Sequence, residues 1–179
     1  MSAIHCRPAE VRDVEAIAAL HADSWRRNYR GAYLDSYLDG DVVTDRLVVW
    51  RERVTRPDAA FRTIIAEHDG AFAGFAHTKL DDDPTWGALL ENLHVVHELK
   101  GRGIGTRLMA ASARAVLDST PGAGLYLWAL DMNVAAQAFY AARGGVDAGR
   151  ELRGPFPGGG TALGRRIVWP DPSTLLLGR

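Results

Sequence analysis

The feature that most constrains the fold of this chain is a glycine-rich segment that separates a strand-like run from a helical one. The segment "KGRGIG", residues 100–105, has glycine at three alternating positions. The residues before it are predicted to form a strand over 88–95, and the apolar residues after it recur with the period of a helix. Free backbone N–H groups at such a helix N-terminus, with the positive end of the helix dipole, form a site for phosphate or another anion. Glycines here would also let a strand and a helix pack closely, so the spacing alone leaves both interpretations open.

The hydrophobic pattern along the chain predicts a mixed α/β fold with one domain over residues 1–170 and a tail at 171–179. A chain of 179 residues is long enough for one substantial core and too short to favour two domains. The predicted helical regions are 9–25, a broken stretch over 26–55, 104–117 and 133–142. The predicted strands are 3–7, 61–67, 71–80, 88–95, 125–130, 146–152 and 163–169.

The composition excludes several classes of protein. The net charge of −1 argues against a general nucleic-acid binder, so no nucleic-acid partner is expected. Cys6 is the single cysteine, which excludes an internal disulfide and a cysteine metal cage. The N-terminus lacks the apolar stretch of a signal peptide, and no run has the length of a membrane span. We therefore expect a cytoplasmic protein with no membrane partner.

Two common phosphate-binding motifs do not fit the glycine segment. A P-loop requires Gly-Lys followed by Ser or Thr, whereas Gly105 is followed by Thr106 and Arg107. A dinucleotide fold requires Gly-x-Gly-x-x-Gly and an acidic residue about 20 positions later. Here the glycines are spaced by two, and the segment at that distance is the apolar "LYLWAL", residues 125–130.

Three segments together resemble the Gcn5-related N-acetyltransferase (GNAT) superfamily. The glycine segment is similar to its acetyl-CoA motif, Arg/Gln-x-x-Gly-x-Gly/Ala, with Lys100 at the first position. "ENLHVV", residues 91–96, resembles the family's fourth strand, and "NVAAQAFYAARGG", residues 133–145, resembles its Asn-x-x-Ala-x-x-Phe-Tyr segment. Gly145 stands where the family usually has an aromatic residue, which is expected to cost some packing. The resemblance implies a central mixed, mostly antiparallel sheet, flanked by helices and splayed between its fourth and fifth strands.

The same resemblance implies transfer of acetyl from acetyl-CoA to a primary amine, by direct attack in a ternary complex. A small-molecule amine is the first expectation for the acceptor, and a protein N-terminus or lysine is the second. A non-catalytic acyl-CoA-binding module is an alternative of another class. Family members often dimerise, so a homodimer is possible.

The resemblance also implies which residues hold the cofactor. The loop and helix start would bind the pyrophosphate through backbone amides, the fourth strand would offer amides to the pantetheine and thioester, and an asparagine would lie beside the gap. The residues so assigned are Leu93, Val95, Lys100, Gly101, Arg102, Gly103, Ile104, Gly105, Thr106 and Asn133.

Three residues are candidates for the catalytic chemistry. Tyr140 stands where the family often places the general acid for the departing sulfur, although a half-buried tyrosine can also be ordinary packing. Glu91 and His94, both on the fourth strand, are alternative general bases. Strand alternation places these two on opposite faces of the sheet unless a bulge intervenes between them.

The acceptor side is expected in the aromatic, charged stretch over residues 25–50 and in the loop at 154–160. Trp25, Tyr29 and Tyr33 are the candidate acceptor contacts, and core packing on an amphipathic helix is an alternative at least as strong for each. Neighbouring aspartates argue against a nucleic-acid stacking surface. The segment "HVVHE" lacks the His-Glu-x-x-His order of a zinc site on a helix, so no metal is expected.

Overall fold

A computed structural model describes residues 3–176 and shows one seven-stranded sheet with helices on both faces. The strands are β1 (Ile4–Pro8), β2 (Phe61–His68), β3 (Ala71–Asp83), β4 (Gly87–Val95), β5 (Leu125–Leu130), β6 (Val146–Arg153) and β7 (Ala162–Trp169). The helices are α1 (Val14–Asn28), α2 (Asp35–Asp39), α3 (Val42–Thr55), α4 (Ile104–Ser119) and α5 (Val134–Ala141). No helix in this described part of the chain is long and apolar enough to cross a membrane.

The strand order is β1-β2-β3-β4-β5-β7-β6, and only the β4–β5 pair is parallel. This confirms the mixed, mostly antiparallel sheet that the resemblance implies. The change of direction occurs in the middle of the sheet, which is where ligands bind in many sheets of mixed topology.

The sheet is splayed between β4 and β5. The two strands pair only at Ala88–Leu125 and Leu89–Tyr126, and then diverge. At the paired end the backbones are in close contact, since a Cβ on Gly87 would lie 2.2 Å from the carbonyl oxygen of Gly124. The strands are therefore held together at one end and leave a gap at the other.

The two faces of the sheet bury separate cores. One core lies between the sheet and α4, and includes Leu108, Leu127 and Trp169. Leu175, from a 3-10 turn at Pro172–Leu175, is buried in the same core. The other face is covered by α1 and α3, with Ile17, Trp50 and Phe75 at its centre. The last three residues of the expected tail, and the first two of the expected domain, lie outside the described residues.

The predicted elements match the observed ones in order, with three main differences. The helix predicted over 9–25 begins only at Val14 and continues to Asn28. The broken helical stretch resolves into α2 and α3. β3 continues to Asp83 instead of ending at Leu80, because Asp82 is tied to the sheet by an ion pair with Lys79 and a hydrogen bond from the Tyr126 hydroxyl. The acidic residues that suggested a turn therefore form the end of a strand.

Candidate functional site

The gap between β4 and β5 opens into a cleft of about 570 Å³. Its walls come from β4, the glycine-rich loop, the first turn of α4, β5, α5 and one face of α1. Nine of the ten predicted cofactor residues line this cleft, and the exposed Arg102 does not. The residues on the side of α1 are Ser24, Asn28 and Tyr29, and β5 contributes Trp128, Ala129 and Leu130.

The glycine-rich loop presents backbone donors to the cleft. Gly101 and Gly103 have φ angles of +80° and +84°, which side chains other than glycine rarely adopt. Gly103 precedes the first residue of α4, and no side chain among the described residues caps this helix. The first amides of α4 therefore face the cleft with the positive end of the helix dipole behind them, as an anion site requires.

Gly105 has a different role, which is close packing. A Cβ at this position would lie 3.0 Å from Cζ of Phe139, on α5. The absence of a side chain at Gly105 thus lets the start of α4 approach α5 across the cleft. Different glycines of the segment therefore serve different geometric needs, with positive φ at Gly101 and Gly103 and close packing at Gly105.

Arg143 is a cleft residue that the sequence did not single out. Its Nε and Nη2 donate to Oγ1 of Thr106 at 2.9 and 2.7 Å, and its Nη1 donates to the carbonyl oxygen of Phe139 at 2.7 Å. The guanidinium lies 3.6 Å from the centre of the Phe139 ring. Burial lowers the pKa of Arg143, and within residues 3–176 no carboxylate pairs with it. The i,i+4 spacing of Phe139 and Arg143 was the available signal, but the contact with Thr106 joins positions 37 apart.

A bulge at Glu91 decides the orientation of β4 side chains. His77 of β3 pairs with Asn92, whereas the next residue, Thr78, pairs with Leu90. Glu91 is therefore an extra residue on β4, and the alternation is interrupted there. As a result Glu91 and His94 lie on the same face of the sheet, the face that α1 and α3 cover.

Although they share a face, Glu91 and His94 have different surroundings. Glu91 forms an ion pair with Arg53 of α3 at 3.2 Å, and its Oε2 is 3.7 Å from Nε2 of His77. Glu91 does not line the cleft, whereas His94 does.

His94 is held at the wall of the cleft by α1. Its Nδ1 lies 2.8 Å from Oγ of Ser24, and only 6% of the residue is exposed. Burial, with a smaller effect from the Lys100 charge, lowers the pKa of His94 to about 3. The imidazole is therefore neutral at physiological pH, which is the form that can accept a proton.

Tyr140 and Asn133 face the cleft from α5, as the helical spacing predicts. Oδ1 of Asn133 accepts a hydrogen bond from the amide of Ala136 at 3.1 Å and so caps the helix. Burial, with a smaller effect from Tyr29, raises the pKa of Tyr140. The phenol is therefore protonated and available as a donor.

Comparison with known proteins shows the family of the chain. A family model described as the acetyltransferase (GNAT) family matches residues 16–145, which include the cleft's β4, glycine loop and α5. The chain belongs to the GNAT family. This makes the protein an acyltransferase of the N-acetyltransferase type, and the cleft between β4 and β5 is its candidate active site.

Relatives of known sequence or structure agree with this assignment. A probable N-acetyltransferase from Mycobacterium tuberculosis is 30% identical over 143 residues, covering 78% of each chain. A GCN5-related N-acetyltransferase from Rhodopseudomonas palustris has a TM-score of 0.72 at 23% identity, covering 94% of this chain and 96% of that one. The PaiA N-acetyltransferase from Thermoplasma acidophilum, solved in complex with coenzyme A, has a TM-score of 0.66 at 17% identity and covers 92% of this chain and 99% of its own. The structural likeness shows a shared fold.

In this GNAT protein the predicted acceptor aromatics divide into two groups. Tyr29 lines the cleft, whereas Trp25 and Tyr33 are buried, with 6% and 7% of each exposed. The Tyr33 ring stacks on Phe156, from the loop at 154–160, with centroids 4.5 Å apart. Trp25 packs 4.7 Å from Tyr33 and under the guanidinium of Arg46. This aromatic cluster joins the two segments expected to form the acceptor side.

Proposed function

We propose that the protein transfers the acetyl group of acetyl-CoA to a small primary amine bound in the cleft between β4 and β5. The observation that carries the proposal is the divergence of β4 and β5 next to the glycine-rich loop. It combines an anion site with a strand edge to which an extended, amide-containing chain can pair. Pantetheine joined to a pyrophosphate has these two properties.

The cofactor would be held mainly by backbone groups. The amides between Gly101 and Thr106 would bind the pyrophosphate, and the unpaired edge of β4 at Leu93 and Val95 would pair with pantetheine. An amide of that edge would also donate to the thioester carbonyl oxygen, which becomes an oxyanion as the amine attacks. Backbone donors fixed by the fold lose little entropy on binding, so they suit a site that must stabilise developing charge.

His94 is the proton acceptor that we favour over Glu91. When the amine attacks the thioester, its nitrogen becomes positively charged and much more acidic, so a weakly basic imidazole suffices to remove the proton. His94 lines the cleft and is neutral, while Glu91 is engaged by Arg53 away from it. In the tautomer in which Nδ1–H of His94 donates to Oγ of Ser24, Nε2 is the nitrogen that would accept the proton.

Tyr140 would complete the transfer. As the carbon–sulfur bond breaks, the CoA thiolate gains a proton from the phenol, and solvent returns one to the tyrosine. A thiol with a pKa of about 8.5 leaves without much assistance, so the contribution of Tyr140 is moderate.

The lining of the cleft favours an acceptor whose remaining part is uncharged. No Asp or Glu is among the described residues that line it, and its acceptor side carries Tyr29, Trp128 and Leu130. A polyamine would need carboxylates to pair with its further ammonium groups, whereas an aromatic monoamine would contact these side chains directly.

The test is binding followed by turnover. Acetyl-CoA should raise the melting temperature, and release of free CoA thiol should accelerate with tyramine more than with spermidine or a lysine peptide, relative to acetyl-CoA alone. Stabilisation by acetyl-CoA without amine-dependent thiol release would favour the acyl-CoA-binding module instead. No stabilisation by acetyl-CoA would overturn the proposal.

A further inference from the structure

A second histidine, His21 of α1, lies behind His94 and makes an unusual hydrogen bond. Only 1% of His21 is exposed, and its Nδ1 is 2.8 Å from Nε1 of Trp50, on α3. The indole N–H can only donate, so Nδ1 of His21 must carry the lone pair. Its one proton is therefore on Nε2, and the ring cannot take a second proton without losing the bond from Trp50.

His21 and Ser24 together hold the ring of His94. The ring centroids of His21 and His94 are 4.8 Å apart, and Ser24, one helical turn after His21, contacts Nδ1 of His94. Nε2 of His21 is buried without a hydrogen-bond partner among the described residues. An orphaned donor destabilises a core, so packing alone would favour an apolar side chain at this position.

We propose that His21 is a positioning residue for His94, held as a neutral imidazole by Trp50 so that His94 alone takes the proton of the acceptor amine. The proposal rests on the function proposed above for His94. A cationic His94 formed during the reaction would be repelled by a second charged imidazole at this distance. The donor from Trp50 prevents that charge at His21.

The other charged and titratable groups around this pair make a neutral His21 more important. Arg46 and Arg53 of α3 approach it from one side, His77 of β3 lies on the sheet, and Lys100 faces His94 from the glycine-rich loop. Asp45 and Glu91 pair with these two arginines and offset their charge. A proton on His21 would add a further positive charge beside His94, where His94 must accept one.

The test is a double-mutant cycle with tyramine and acetyl-CoA as substrates. His21→Leu should lower kcat at least tenfold and leave the KM for acetyl-CoA within twofold. His21→Gln should retain kcat within about threefold, because its amide oxygen can accept from Trp50. In a His94→Gln background, His21→Leu should change kcat by less than twofold. Melting temperatures establish that each variant is folded, and Trp50→Phe, which removes the donor together with part of the ring volume, replaces His21→Leu if that variant does not fold.

The outcomes separate this inference from the proposed function. Equal losses of kcat from His21→Leu in both backgrounds would show a packing role and overturn the inference alone. Full kcat in His94→Gln would overturn the role of His94 and this inference with it. A wild-type protein without amine-dependent turnover would overturn the proposed function itself.

Discussion

Arg143 donates two hydrogen bonds to Oγ1 of Thr106, which places an unpaired guanidinium beside the N-terminus of α4. Two positive groups, a cation and a helix dipole, are unfavourable next to each other unless an anion binds between them. The bonds to Thr106 and to the Phe139 carbonyl oxygen fix this cation in place before any ligand arrives.

The first prediction follows from this contact. Arg143→Ala should raise the KM for acetyl-CoA about tenfold, because the variant loses one charge-assisted hydrogen bond to a phosphate of the cofactor. The KM for S-acetylpantetheine, which has no phosphate, should not change. Arg114→Ala, at an exposed position on α4, is the matched control and should leave both KM values unchanged. A proportional rise for both acyl donors in Arg143→Ala would contradict a role in phosphate binding.

The second prediction concerns the backbone of the glycine-rich loop. Gly103→Ala should weaken acetyl-CoA binding several-fold, because alanine disfavours the positive φ that aims the first amides of α4. Gly122→Ala is a close control, since that glycine has a similar φ, +86°, and open space around it. Both variants should lose similar stability, while isothermal titration should show weaker acetyl-CoA binding only for Gly103→Ala. Equal affinity in the two variants would remove the loop amides from the site.

The third prediction concerns the leaving group. Tyr140→Phe should lower kcat about tenfold, less than is typical for general acid catalysis because a thiol leaves without much assistance, and should leave the KM for acetyl-CoA unchanged. Tyr126→Phe should keep kcat, because its hydroxyl donates to Asp82 outside the cleft. If both variants turn over at the wild-type rate, Tyr140 is not the acid.

The fourth prediction compares the two candidates for the general base, the carboxylate of Glu91 and the imidazole of His94. His94→Gln should reduce kcat with tyramine at least a hundredfold, whereas Glu91→Gln should reduce it only a few-fold. Glu91 faces Arg53 and His77, so its loss should appear mainly as lower stability in urea unfolding. The reverse order of effects on kcat would assign the base to Glu91.

The fifth prediction concerns stability in acid. Burial lowers the pKa of His21, His77 and His94 in the folded protein, the last two to about 3, from an ordinary value of 6.5. The unfolded chain therefore binds protons that the folded one does not as the pH falls below 6.5, and stability is full above that pH and lost below it. Each histidine contributes a slope of about 1.4 kcal/mol per pH unit.

Urea unfolding at a series of pH values measures this slope. His77 lies outside the cleft. His77→Gln should reduce the slope by about 1.4 kcal/mol per pH unit, the contribution of one proton, between pH 6.5 and about 3. An unchanged slope would mean that His77 is not buried in its neutral form.

The sequence predicted the order of the elements and most residues of one side of the cleft because both depend on local pattern. A glycine-rich turn, a helix start and strand periodicity are visible within short windows. The bulge at Glu91 was not predictable, because it is defined by a shift of one residue against β3 and no special residue marks it. The burial of Trp25 and Tyr33 depends on a loop more than a hundred residues away, so the helical spacing could not separate them from Tyr29.

Gly145 shows how tertiary packing alters a prediction made from a motif. The missing aromatic residue was expected to cost packing. A Cβ at Gly145 would lie 2.7 Å from the Trp169 ring and 2.6 Å from Ile167. The indole of Trp169, on β7, occupies this space and donates to the carbonyl oxygen of Arg143 at 2.9 Å. The aromatic group is therefore supplied from another strand, beyond the reach of the motif.

The pairing of β4 with β5, which is confined to the end where Gly87 contacts Gly124, has a consequence for the dynamics of the sheet. Within residues 3–176, β4 and β5 share only two residue pairs, so at Leu93 and Val95 the edge of β4 that faces β5 has no strand paired to it. A bound cofactor would pair with that edge, so amide hydrogen exchange there should slow when acetyl-CoA is present. The cofactor would then act as a removable strand, and the stiffness of the sheet would vary through each catalytic cycle.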